Sequence, residues 1–195
     1  MRITAIRASF VLPAVIVLLA ASGDARVQDV PVPLHLTSWA INMSNIATGS
    51  NAVVDIKVDR WSTEEERQKL ITTFLEKGPG KLLDTLQDLK KVGYIRLPNT
   101  LGYDLHYARE APLDEGGRKI VIATDRPIGF AEARNQPRTI DYPFTLIEIR
   151  LKPDGTGEGK MSVATKISMN KKTKTVELEN YSSEPVRLTN VKIEK

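Results

Sequence analysis

The residues best placed to do chemistry in this chain are a carboxylate and an imidazole two positions apart. His35 and His106 are the only histidines, and Asp104 precedes His106 in a stretch that alternates like a strand. On a strand these two share one face, opposite Tyr103, Leu105 and Tyr107, so Asp104 is placed to orient His106 as a general base. A second charged stretch follows at Thr124-Asp-Arg-Pro127, with Glu132, Arg134 and Arg138 downstream. Asp104, His106, Asp125 and Arg126 are thus the candidate catalytic residues. Arg126, Glu132 and Arg134 are the candidate ligand-binding residues, because a guanidinium grips a carboxylate bidentately. The competing reading of the same residues is a solvated pair and an ion-pair network pinning a corner, in which adjacent opposite charges neutralise one another.

Other chemistries lack their residues. There is no cysteine, which removes disulfides, thiolate nucleophiles and zinc-thiolate sites. No second histidine stands at metal-ligand spacing, and neither a Gly-x-Ser-x-Gly elbow nor a Ser-x-x-Lys motif occurs. Gly155, Gly157 and Gly159 invite comparison with a phosphate loop, but a strand-period segment follows them where a helix N-terminus is required. No cofactor and no metal are implied.

The elements that would position these residues are mostly strands. His35 to Met43 alternates, with Thr37, Trp39, Ile41 and Met43 on one face. Ala52, Val54, Ile56 and Val58 then alternate against Val53, Asp55, Lys57 and Asp59, and the two runs pair across the turn residues 47–51. The period changes to about 3.6 after Ser62-Thr-Glu-Glu65, a capping box that Thr63 to Glu66 repeats one residue later. Leu70, Ile71, Phe74 and Leu75 form one helical stripe, and Leu82, Leu83, Leu86 and Leu89 a second. Gly78-Pro-Gly80 lies between them, and Trp61 packs the first helix onto a sheet. From Gly93 onward the chain reads as strand and turn. Strands are expected at 94–97, 101–108, 119–124, 128–133, 144–151, 161–169, 175–181 and 186–193, with a bulge near Asn190 where the apolar phase shifts. Hairpin-length turns make neighbours antiparallel, and about ten strands exceed one flat sheet. The expected fold is mainly β (α+β): an antiparallel barrel or a two-layer sandwich with an inserted αα-hairpin.

Domain organisation follows from the N-terminus. Basic residues 1–7, an apolar run from Ala8 to Ala21 and the small residues around Gly23 and Ala25 have the layout of a secretory signal peptide spanning 1–25. An extended segment at 26–34 leads into one β-rich domain at 35–195, with the αα-hairpin inserted at 62–92. Of the chain's 28 Lys and Arg and 24 Asp and Glu, Arg2, Arg7 and Asp24 leave with the leader. The remaining charge is mildly positive and interspersed, and with export this excludes nucleic acid as a partner. The apolar run is too short to span a bilayer comfortably, so no transmembrane helix is expected in the mature chain.

Asp59-Arg-Trp-Ser62 with Glu65-Glu-Arg67, Ala123-Thr-Asp-Arg-Pro-Ile128, and Glu179-Asn-Tyr181 with Pro185-Val-Arg-Leu188 resemble a family of uncharacterised exported bacterial proteins. That resemblance implies export and carries no particular activity. The architecture is also similar to exported lipocalin-like and YceI-like barrels, which implies a barrel holding an apolar ligand. The leading expectation is therefore a non-enzymatic protein of the periplasm or exterior that binds a small apolar or amphipathic molecule. The alternatives are a cofactor-free hydrolase or isomerase built on Asp104, His106, Asp125 and Arg126, and an envelope protein–protein interaction module.

Overall fold

A computed structural model describes residues 31–43, 51–98, 100–114, 116–128, 141–170, 175–180 and 184–194. The strands are β1 (Leu34–Ile41), β2 (Asn51–Val58), β3 (Gly93–Arg96), β4 (Tyr103–Pro112), β5 (Arg118–Thr124), β6 (Phe144–Leu151), β7 (Thr156–Asn170), β8 (Thr175–Asn180) and β9 (Val186–Ile193). Their order is β6-β5-β4-β3-β2-β1-β9-β7-β8, and a further β6–β7 pairing joins the ends into a closed, eight-stranded antiparallel barrel. Of the barrel and the sandwich, the structure is the barrel. Closure is possible because β7 is long: one edge pairs with β6, while the other takes β9 over Thr156–Met161 and β8 over Thr165–Asn170.

The period-two pattern decides which side chains fill the barrel. Leu36, Ile56, Ile95, Leu105, Ile122, Ile149, Met161 and Leu188 are among the fully buried side chains, one from each barrel strand. They belong to one contiguous core, against which Trp61 packs. Strands must coil tightly to close so small a barrel, and close approaches fall on glycine. A Cβ at Gly157 would stand 2.0 Å from the Arg150 carbonyl oxygen, and one at Gly93 would stand 1.9 Å from that of Lys57.

Segment 125–128 closes one end of the barrel. Ile128 is fully buried, and its amide donates to Val163 O and to the Thr145 hydroxyl. Thr145 in turn donates to Val163 O at 2.8 Å, with Arg126 O as its other acceptor at 3.1 Å. Ile128 is thus a plug residue and not the start of a strand; the rest of the strand expected at 128–133 lies outside the described residues.

The helical insertion comprises α1 (Glu64–Thr72), a π-helical turn (Thr73–Lys77), a 3-10 turn (Pro79–Lys81) and α2 (Leu82–Gln87). The later capping box forms: Glu66 N donates to Thr63 Oγ1 and Thr63 N to Glu66 Oε2. Ser62 is spent elsewhere, because its amide donates to Ala108 O while its hydroxyl accepts from Ala108 N. These two bonds stitch the helix entrance onto β4. The π turn changes the phase of the expected stripe, so that Thr73 and Phe74 are buried while Leu75 is exposed.

Candidate functional site

The candidate residues divide between two places, and the dividing cause is a bulge in β4. The β4–β5 register shifts between Leu105 and Tyr107. Leu105 therefore faces the barrel core, whereas Tyr107 joins Leu86, Leu89, Ala123 and Phe144 in a second cluster beneath the helices. The expected grouping of Leu105 with Tyr107 on one face is corrected accordingly. Tyr107 is buried and its pKa is raised by that burial.

Asp104 and His106 do not pair. Asp104 is half-exposed and meets Lys91 at 2.5 Å. His106 Nδ1 lies 3.2 Å from Leu89 O, and since a carbonyl only accepts, this contact places the proton on Nδ1. Its Nε2 faces Asp125 Oδ1 at 3.9 Å, beyond hydrogen-bond reach. Asp125 is buried and accepts from Arg126 at 3.1 and 3.3 Å and from Gln87 at 3.3 Å. Burial alone would raise its pKa. The Arg126 hydrogen bond and charge, with Gln87 and His106, outweigh that and hold it below the ordinary value.

His106, Asp125, Arg126 and Gln87 thus converge where α2 and the segment behind it meet β4 and β5. Leu89 O and Gln87 both anchor the helical insertion there. The imidazole is held through Nδ1, but its nearest carboxylate is already committed to a guanidinium and an amide. Glu132, Arg134 and Arg138 lie outside the described residues.

A second polar group sits on the outer wall, and its members are 20 and 41 residues apart. Asp55 on β2 takes His35 Nε2 at 2.5 Å through one oxygen and Arg96 at 2.6 Å through the other. Burial pushes the Asp55 carboxyl up, yet these two donors bring its pKa below the usual value. The β1–β2 alternation already placed Asp55 outward. Pairing Thr37 with Asp55 and Asp55 with Arg96 requires the register across three strands.

The same wall carries the largest exposed apolar side chains near one barrel mouth. Trp39 is 48% exposed, next to Val53 on β2 and Thr189 on β9. Ile41, Asn51, Thr189 and Asn190 join it in lining an open groove of about 440 Å3. Asn190 has φ 51° at the bulge expected from the sequence, and the β1–β9 and β7–β9 registers both break there. The wall face of β1 is thus the face of Thr37, Trp39, Ile41 and Met43, while Leu36 and Ala40 point inward. The sequence placed these four together, but nothing in their types said that the bulkier set would face water.

The fold and this wall define an eight-stranded antiparallel barrel with a side-chain-filled interior and a helical insertion tied to one side. Comparison with family models, with curated proteins and with solved structures returns no match. Among the described residues, no helix is long and apolar enough to cross a membrane, and no group of three or more acidic, histidine or cysteine side chains could hold a metal ion.

Proposed function

We propose that this protein is a non-enzymatic binding module that works with its outer wall, at the end of β1 and β2 centred on Trp39. The observation that carries this reading is the contrast between inside and outside. Side chains from all eight barrel strands reach full burial in the interior, whereas a tryptophan stands half in water on the wall. Tryptophan is among the side chains that gain most from burial, and contiguous exposed apolar groups mark interaction surfaces. Of the expected functions, this is the interaction-module reading. It also moves any amphipathic ligand from the barrel's interior to its face. The expected export to the envelope supplies the setting, and the leader residues 1–25 lie outside the described residues.

The test is retention on a bacterial envelope fraction, read by sedimentation. Trp39→Ser should abolish retention with the circular dichroism spectrum unchanged. The paired change Asp104→Asn with His106→Gln should leave retention intact. Retention that survives the loss of Trp39 but fails with the second variant would transfer the function to the His106 corner and revive the hydrolase or isomerase reading.

A further inference from the structure

The wall reading leaves its occupant open, and charge placement narrows it. Arg187 on β9 is in register with Ile41 on one side and with Lys160 on the other. Both cations are exposed, and neither makes an ion pair among the described residues. The carboxylate across from Lys160 is Glu148, which instead takes Arg150 at 3.1 Å. Like charges directly opposite on adjacent strands repel, so this pair is tolerated best when an anion comes to it.

Next round the barrel from these cations, exposed apolar groups gather at one end, with polar Asn51, Thr189 and Asn190 among them. Trp39, Met43, Val53 and the wholly exposed Leu101 all lie toward the barrel end that carries the β1–β2 and β3–β4 connections. One step further along the wall the residues become polar: Lys192, Thr37, Asp55 and Arg96 occupy successive strands. An exposed tryptophan at the boundary of an apolar rim, with unpaired cations alongside, is the distribution of an element seated in a lipid headgroup region. A small ligand would need enclosure, which an open groove lacks.

Resting on the wall reading, we infer that the occupant is an anionic lipid surface. The rim of Trp39, Met43, Val53 and Leu101 enters the headgroup layer, and Arg187 and Lys160 meet lipid phosphates. Export would bring the protein to such a surface, and none of the helices among the described residues is long and apolar enough to cross it.

The chain has two tryptophans, so Trp61→Phe makes Trp39 the sole reporter. This full chain is mixed with protein-free vesicles of phosphatidylcholine with phosphatidylglycerol, or of phosphatidylcholine alone. The expected result is a blue shift of Trp39 emission, and quenching by bromine-labelled acyl chains, with the anionic vesicles only. In sedimentation of the otherwise native chain, Trp39→Ser should weaken partitioning about tenfold. Arg187→Gln with Lys160→Gln should weaken it about tenfold or more and flatten its salt dependence. The apolar run 8–21 is common to every variant, so the differences read the wall alone.

Equal binding to neutral vesicles, or no shift with either kind, would overturn the lipid assignment. So would a shift that grows with protein concentration without vesicles, which would assign the face to a second copy of the chain. If native envelopes retain the protein through Trp39 while protein-free vesicles do not, the lipid occupant falls and the wall reading stands. If Trp39→Ser leaves envelope retention unchanged, both fall.

Discussion

The Thr145 hydroxyl accepts the Ile128 amide at 2.9 Å, and through this contact β6 holds the plug of the barrel in place. Thr145 is fully buried, so its hydroxyl has no water to fall back on. Thr145→Val keeps the shape but takes one hydroxyl contact from Val163 O, which retains the Ile128 amide, and from Arg126 O, which retains the Thr124 hydroxyl, and leaves the Ile128 amide with Val163 O alone. The expected cost is about 0.5–1.5 kcal/mol. Urea denaturation with an unchanged m-value checks it, and a change below about 0.3 kcal/mol would show that the plug does not depend on this hydroxyl.

Acid should weaken the helix entrance through Glu64. This carboxylate accepts from Gln68, Arg109 and Arg67, and its pKa falls from 4.5 to about 2, with the Gln68 hydrogen bond the largest cause. Above pH 4.5 both folded and unfolded chains carry the charge and the contribution is complete. As the pH falls the unfolded chain binds the proton first, so stability drains away between about pH 5 and pH 2. Glu64 is half-exposed, which keeps the effect modest. Glu64→Gln should flatten the dependence of the melting temperature on pH in that window and lower it at pH 7. An identical slope in both proteins would contradict the assignment.

What could be read from the sequence was local, and what could not depended on register. Alternation identified the inward set of β2, Val54, Ile56 and Val58, because it needs only the neighbours along one strand. The Asn190 bulge and the capping box were legible for the same reason. The His106–Asp125 approach was not, since it requires the extra β4 residue that turns Tyr107 away from the core and sets His106 toward β5. Arg67 shows a different limit. Its charge argues for water, yet the structure buries it, with its guanidinium on Glu64. Closure through β6 and β7 was left open because barrel and sandwich share the same strand pattern and differ only in which edges meet.

Two glycines should respond oppositely to an added methyl. Gly157→Ala places a Cβ 2.0 Å from a backbone carbonyl that the β6–β7 ladder holds in position. The strands must separate, at an expected cost of about 2 kcal/mol or more. Gly80 sits in the 3-10 turn with nothing within 4 Å of such a Cβ. Gly80→Ala should be neutral or stabilise by about 0.4–1 kcal/mol, by restricting the unfolded chain. Thermal melts of both variants decide the matter, and similar losses in the two would refute the close-approach argument.

The His106 corner should prove to be an anchor for the helices. Asp125 is buried and accepts from Gln87 at the end of α2, while Leu89 O, just beyond, meets His106 Nδ1. Asp125→Ala removes the acceptor for Gln87 and leaves Arg126 without its carboxylate, for an expected loss of about 1–3 kcal/mol. Because the lost contacts belong to the insertion, hydrogen exchange should accelerate first in Leu82–Gln87, with the β1–β2 ladder still protected. Asp104→Asn removes a half-exposed ion pair with Lys91 and a weaker attraction to Arg126, and should change stability by less than about 1 kcal/mol. Uniform acceleration across barrel and helices in Asp125→Ala would show that this corner supports the whole fold, and the reading of it as an anchor for the helices alone would then be lost.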